Sequence, residues 1–191
     1  ERVFSTPGAV CMHARKMTAG SKVYAATHPI HVENITLMHN GSIPNWQSIF
    51  PNCGSDTIGI AKMLAEDGIQ RIAETIDGAK TLVWLDASDN SLNFFKHSER
   101  PLYMYKTGSS YVYASEEWMV FKALDQYGLP RDGQVVFEDG YHYKYMVLEK
   151  EWAEPVKYKD PVPPATTSNY SKKKVDGMGV TEVAYPVTRQ I

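Results

Sequence analysis

The chain has 191 residues and a formal net charge of −2, with 43% hydrophobic and 22% charged residues. This composition is typical of one soluble domain with a sizeable core, and a near-neutral charge does not favour nucleic acid or a membrane as a partner. No apolar run approaches the roughly 20 residues of a membrane-spanning helix, and no segment has the basic start and apolar middle of a secretory signal. Because two cysteines are too few for a disulfide framework, we expect a cytoplasmic protein.

Two strands are predicted within the first 40 residues. Residues 9–13, AVCMH, are typical of a buried strand. In residues 32–39, VENITLMH, simple alternation puts Ile35 and Leu37 on one face of a second strand.

Residues 56–76 have the apolar spacing of a helix. The apolar positions are Ile60, Met63, Leu64, Ile69, Ile72 and Ile76. Because Gly68 interrupts this pattern, the segment is either one long helix or two short helices that break there.

Further strands are predicted after this segment, at residues 79–86, 91–97, 101–107 and 111–116. The last of these runs into a helix, EEWMVFKALDQYG. VVFEDG and YHYKYMVLE indicate a final hairpin with Asp139-Gly140 as its tight turn. This order of elements predicts an α+β fold in which antiparallel sheets and helices form stacked layers.

The composition changes after about residue 150. Residues 151–191 are rich in Pro, Ser, Thr and Lys, which is typical of an extended arm or linker. We therefore predict a domain over residues 1–150 and an extended arm over residues 151–191. Two roles are open for the arm, wrapping around the domain or reaching a partner.

The pair Asn40-Gly41 lies between a strand and a segment that is not a strand. Residues after it contain Pro44 and do not alternate, so the chain is predicted to turn there into a short helix. Asn-Gly is a common turn pair, and a plain turn is one interpretation. The other is a site at a strand end, because an amide side chain beside a glycine N–H can hold an oxyanion.

Several motifs occur in a fixed order around this pair. They are His13-Ala14-Arg15-Lys16-Met17-Thr18-Ala19-Gly20, Thr27-His28-Pro29, His39-Asn40-Gly41 and Ser55-Asp56-Thr57, followed by GAKTLVWLD, ERPLYMY and YVYASE. In this order and spacing, over about residues 9–124, they resemble the class II glutamine amidotransferase domain, an N-terminal-nucleophile hydrolase. The resemblance implies a four-layered αββα sandwich and hydrolysis of glutamine to glutamate and ammonia. Whether the first strands of that sandwich belong to this chain is left open by the resemblance.

The resemblance implies an oxyanion site and a glutamine site. The Asn40 side chain and the Gly41 N–H would hold the oxyanion. Arg15 would bind the glutamine α-carboxylate, since a planar guanidinium suits a carboxylate, and Asp56 would bind the α-ammonium.

The same resemblance gives two residues supporting roles. Thr18 would help to hold the carboxylate end, and His28 would support the floor of the pocket.

Each of these residues also has a purely structural interpretation. Arg15 could be a solvated surface charge and Asp56 a helix cap. His28 is more typical of a structural residue, and His13 and His39 are expected in packed strand surroundings. The spacing of His28, His31, Cys11 and Cys53 matches no zinc pattern, and no cofactor is expected.

The nucleophile of the resembled family is an N-terminal Cys whose own α-amino group acts as the base. This chain begins with Glu1, and only 12 residues precede His13. Cys11 and Cys53 do not fit the role. The Cys is therefore expected on a separate or cleaved N-terminal segment; the alternative is that the nucleophile is lost and the fold serves binding.

The expected partners are glutamine, a segment that carries the nucleophilic Cys, and an acceptor enzyme or a second copy of the chain. Nothing after residue 150 resembles a synthetase, sugar-isomerase or phosphoribosyltransferase domain, so acceptor chemistry would reside on another protein. Stand-alone domains of this kind resemble those of some bacterial and phage genomes. A non-catalytic glutamine-binding module and an assembly subunit are the competing functions.

Overall fold

A helix, two antiparallel sheets and a second helix form four stacked layers in the computed structural model, which describes residues 8–13, 27–98 and 100–161. In chain order the elements are β1 (Ile30–Val32), β2 (Ile35–Gly41), α1 (Trp46–Ile49), α2 (Asp56–Thr75), β3 (Lys80–Asp86), β4 (Ser91–His97), β5 (Tyr103–Thr107), β6 (Ser110–Ala114), α3 (Glu117–Gln126), β7 (Gly133–Val135), β8 (Tyr141–Met146), β9 (Glu151–Trp152) and β10 (Val156–Lys157). The larger sheet has the order β1-β2-β3-β4-β8-β10, with β9 also paired to β8, and the smaller has the order β6-β5-β7. The predicted layered α+β fold is therefore confirmed.

The first core lies between α2 and one face of the larger sheet. Ile60, Leu64 and Ile72 of the helix pack against a face that includes Leu37 and Leu82. Ile35 belongs to the same core, so the predicted alternation in β2 is confirmed. The apolar stripe of α2 is thus buried on the sheet, which supplies most of the stability of a helix in water.

Helix α2 begins and breaks where the sequence indicated. The Ser55 hydroxyl accepts a hydrogen bond from the N–H of Ile58 at 3.2 Å and caps the helix. Gly68 has φ 76° and ψ −178°, a conformation that is open to glycine and strained for other residues. None of the helices in the described residues has both the length and the apolar character needed to cross a membrane.

The second core lies between the two sheets. Met38, Val83 and Phe94 project from the larger sheet toward Met104 of β5 and the buried Phe137. Since successive side chains of a strand point to opposite faces, Leu37 and Met38 enter different cores.

The outermost layer is α3. Its buried residues are Val120 and Leu124. The Phe121 ring contacts the Tyr105 ring at 5.1 Å between centroids, and the Tyr105 hydroxyl donates to Glu117 Oε1 at 2.6 Å. These contacts attach α3 to the outer face of the smaller sheet.

The buried strand predicted over residues 9–13 is wrong. The segment alternates, with Val10 and Met12 exposed and Cys11 turned inward, but it pairs with no strand in the described part of the chain. A hydrogen bond from the Tyr113 hydroxyl to Cys11 Sγ, at 2.9 Å, holds it beside β6. Alternation predicts which side chains face inward, but backbone pairing depends on a distant partner.

The final hairpin around Asp139-Gly140 is also wrong. Strand β7 pairs with β5 in the smaller sheet, whereas β8 pairs with β4 in the larger one. Residues 139–140 therefore connect the two sheets. Gly140 has φ 80°, a backbone conformation that is typical of glycine in tight turns. The chain therefore turns at this residue, as predicted, although no hairpin forms across it.

The described residues beyond position 150 extend the larger sheet. Strands β9 and β10 both pair with β8. The Trp152 ring lies 5.0 Å from the Tyr145 ring, and His97 Nε2 lies 3.5 Å from Asp160 Oδ1. Residues 162–191 of the predicted arm lie outside the described residues, and the boundary at residue 150 stays a prediction.

Gly59 lies where α2 passes under the Phe50 ring. A Cβ added there would come within 2.2 Å of a ring carbon of Phe50. Helix propensity alone favours alanine over glycine by about 1 kcal/mol. We expect Gly59→Ala instead to destabilise the protein by about 1–3 kcal/mol, because overpacking outweighs propensity.

Urea unfolding measures this effect. Gly133→Ala is the control, since no described atom lies within 4 Å of its added Cβ, and its stability should change by less than about 0.5 kcal/mol. A Gly59→Ala protein more stable than the parent would contradict the packing argument.

Candidate functional site

A cavity of about 620 Å³ opens between the end of β2 and the free edge of the smaller sheet. The larger sheet contributes Met38, Asn40, Thr81 and Val83, and the β6 side contributes Tyr113, Ala114 and Ser115. Four of the six predicted site residues line this cavity: His28, Asn40, Gly41 and Asp56. Arg15 and Thr18 lie outside the described residues.

The cavity forms because the end of a strand meets the start of a helix. Strand β2 ends at Gly41, and the chain continues through the short helix α1, as predicted for the Asn-Gly pair. It returns at Asp56, whose Oδ2 accepts a hydrogen bond from the N–H of Ile43 at 3.2 Å. This bond connects the segment after Gly41 to the first turn of α2.

Gly41 occupies a position that admits no side chain. A Cβ there would lie 2.4 Å from the carbonyl oxygen of Ala79 and 2.7 Å from His39 Nε2. Because a backbone oxygen cannot move aside cheaply, only glycine fits between β2 and the start of β3.

Asp56 is a buried carboxylate at the helix start, with 5% of the residue exposed. Its Oδ1 accepts from the N–H of Thr57 at 2.8 Å, in addition to the bond from Ile43. The positive end of the helix dipole favours a negative charge in this turn. The helix cap is Ser55, so the carboxylate of Asp56 is not needed as the cap.

Two buried histidines flank Thr57. His28 Nε2 and His39 Nδ1 each lie 3.1 Å from the Thr57 hydroxyl oxygen. Burial lowers the pKa of His39 to about 4, while the neighbouring Asp56 acts in the opposite direction. His39 is therefore neutral at pH 7, and its 4.0 Å approach to Asp56 Oδ2 is not an ion pair.

The cavity residues that were not predicted as site residues include His39, Thr57 and Arg100. Arg100 is exposed, and its backbone is anchored because its carbonyl accepts from the Thr81 hydroxyl at 2.9 Å. Both Thr57 and Arg100 belong to recognised motifs, Ser-Asp-Thr and ERPLYMY, which is the sequence signal that could have identified them.

From the described residues, the site offers one carboxylate, one guanidinium and several neutral polar groups. A free amino acid carries an ammonium and a carboxylate, which this set of charges complements. Among the described residues, no group of three His, Cys, Asp or Glu side chains is placed to hold a metal ion.

Two solved structures have a similar fold. One is glutamine phosphoribosylpyrophosphate (PRPP) amidotransferase from B. subtilis complexed with ADP and GMP, at 21% identity and a TM-score of 0.57. The other is described as the allosteric regulatory enzyme of purine biosynthesis, at 22% identity and a TM-score of 0.58. The chain shares the fold of these two structures over the matched residues.

The similarity covers 77% of this chain and 34% of each of those chains, so this chain spans about a third of their length. No family model and no curated protein matches the sequence. At these identities the likeness shows the fold alone, and the chemistry has to be argued from the cavity.

Acid should destabilise this protein through two neutral histidines, the buried His39 and the half-buried His142. Burial also lowers the pKa of His142 to about 4, with Lys144 adding to this effect and Asp89 opposing it. As the pH falls from about 6.5 to about 4, the unfolded chain takes up protons that the folded His39 and His142 do not, so stability is lost in this window. Each imidazole can contribute up to about 3 kcal/mol.

Unfolding free energies across this pH window test the effect with His142→Gln. This variant should lose less stability on acidification than the parent, because one of the two imidazoles with a lowered pKa is absent. The matched control is His31→Gln, which removes an exposed histidine and should leave the pH dependence of stability unchanged. Equal acid sensitivity of His142→Gln and the parent would contradict the argument.

Proposed function

We propose that the chain is the glutamine-hydrolysing part of a class II glutamine amidotransferase. It would release glutamate and ammonia for an acceptor on another protein. The observation that carries this proposal is the convergence of Asn40, Gly41 and Asp56 on one cavity of an amidotransferase fold.

The end of β2 supplies the oxyanion site in this proposal. Asn40 is half-buried and lines the cavity together with Gly41, whose backbone N–H would be the second donor. When the thiolate attacks the glutamine amide, negative charge develops on the carbonyl oxygen. An amide N–H₂ and a backbone N–H fixed on a strand can stabilise that charge without reorganising.

The start of α2 supplies the site for the α-ammonium group. The Asp56 carboxylate is held by two backbone N–H bonds and remains close to the cavity, so it presents a fixed negative charge. His28 would support the floor of the cavity through its contact with the Thr57 hydroxyl group. Arg15 would bind the α-carboxylate and Thr18 would assist it, as the resemblance implies.

The nucleophile would come from a segment upstream of Glu1 or from another chain. Neither cysteine of this chain is suited to the role. Cys11 accepts a hydrogen bond from the Tyr113 hydroxyl, and burial raises its pKa, which disfavours the thiolate. Cys53 packs against the core beneath α2. The proposal also includes a cytoplasmic location, a bacterial or phage origin and a separate acceptor enzyme or homo-oligomer.

A non-catalytic glutamine-binding module is the second candidate, and one observation favours it. Neither Cys11 nor Cys53 lines the cavity that holds Asn40 and Asp56. Such a module would bind glutamine, which isothermal titration calorimetry would detect, while the full-length gene product would release no glutamate.

Asn40→Ala should lower kcat for glutamate release by the full-length gene product about 10²–10³-fold, because one oxyanion donor is lost. The matched control is Asn34→Ala, since Asn34 lies before the opposite end of β2 and bonds Asp86. Coupled glutamate-dehydrogenase assays measure both. Absence of turnover in the parent, or equal activity of Asn40→Ala and the control, would exclude the catalytic proposal.

Two arginines can be compared as ligands of the substrate carboxylate. We expect Arg15→Gln to raise KM for glutamine about 10–100-fold, because a charge-assisted contact is lost. Arg100→Gln should have a smaller effect if Arg100 only lines the mouth of the cavity. The opposite order of KM values would assign the carboxylate to Arg100.

A further inference from the structure

Three buried polar side chains share one hydroxyl group at the floor of the cavity. Thr57 is 2% exposed, and its oxygen lies 3.1 Å from His28 Nε2, 3.1 Å from His39 Nδ1 and 3.4 Å from Asp56 Oδ1. These contacts join the segment before β1, the strand β2 and the helix α2 at one atom.

The protons at this junction can be counted. A hydroxyl donates one hydrogen bond and accepts up to two, whereas a carboxylate only accepts. If Thr57 donates to Asp56, both imidazoles must donate to Thr57, and all three contacts are satisfied. In any other arrangement at least one contact brings two lone pairs together, which is costly in a buried site.

Electrostatics favours the same arrangement. His39 Nδ1 lies 4.0 Å from Asp56 Oδ2, so a proton on this nitrogen is attracted by the carboxylate. The other nitrogen, Nε2, is buried and has no hydrogen-bond partner in the described part of the chain. The proton of neutral His39 therefore belongs on Nδ1, and that of His28 on Nε2.

We propose that Thr57 is a positioning residue that fixes the tautomers of His28 and His39 and, through them, the place of Asn40-Gly41 relative to Asp56. His39 directly precedes Asn40, and its Nε2 lies beneath Gly41. A ring held by Thr57 therefore holds the end of β2 against the helix start. The expected effect on catalysis rests on the proposed function. The expected tautomers rest only on the contacts of Thr57.

Long-range proton–nitrogen NMR spectra of the full chain at neutral pH report the tautomers directly. We expect His39 as the Nδ1–H form and His28 as the Nε2–H form, assigned with His39→Gln and His28→Gln. Thr57→Val keeps the shape but removes the hydroxyl, so at least one ring should become a mixture of tautomers, whereas Thr57→Ser should match the parent. An Nε2–H form of His39 in the parent overturns the proposal even if Thr57→Val fails to fold.

Kinetics of the full-length gene product give the second readout. Thr57→Val should lower kcat/KM for glutamine about tenfold, equivalent to one lost hydrogen bond, and Thr57→Ser should restore it. Unchanged tautomers in Thr57→Val, or Thr57→Ser behaving like Thr57→Val, would overturn the proposal. The expected tautomers without any glutamine turnover would support it while excluding the catalytic function.

Discussion

The structure around the cavity depends on one buried carboxylate, Asp56, which accepts hydrogen bonds from the chain on both sides of it. Burying a carboxylate costs free energy unless the carboxylate accepts hydrogen bonds. Moving its donors away would therefore destabilise the folded state. The N–H of Ile43 fixes the segment after β2, and Thr57 fixes the helix start. The same bonds that keep Asp56 buried thus decide where Asn40 and Gly41 lie.

The strands and helices with strong local patterns could be predicted from the sequence. Strand β3 contains the apolar run LVWL, β4 contains the pair Phe94-Phe95, and α2 has a long helical stripe with a glycine at its break. The errors at residues 9–13 and 135–140 have a different origin. Residues 9–13 alternate in burial but pair with no described strand, whereas β7 and β8 pair with strands that are remote in sequence. In neither case does a local signal specify the backbone pairing.

The candidate site could be predicted in part, through the order of short motifs. That order pointed to Asn40, Gly41 and Asp56, which the fold brings to one cavity. The Ser-Asp-Thr motif marks Thr57 as a residue near the site, but its contacts with His28 and His39 could not be inferred from motifs, because they span 29 and 18 residues. A threonine in the first turn of a helix is common, and only the tertiary structure shows that the His28 and His39 rings contact this one.

The break at Gly68 has a geometric consequence for the whole molecule. A straight helix of 20 residues would separate its ends by about 30 Å. Yet Asp56, at the start of α2, bonds Ile43, while Gly78, just past its end, approaches the neighbouring Pro44 so closely that a Cβ would lie 2.9 Å from the proline ring. One glycine lets the helical segment double back like a hairpin, so that a three-residue stretch of loop serves as the anchor for both of its termini.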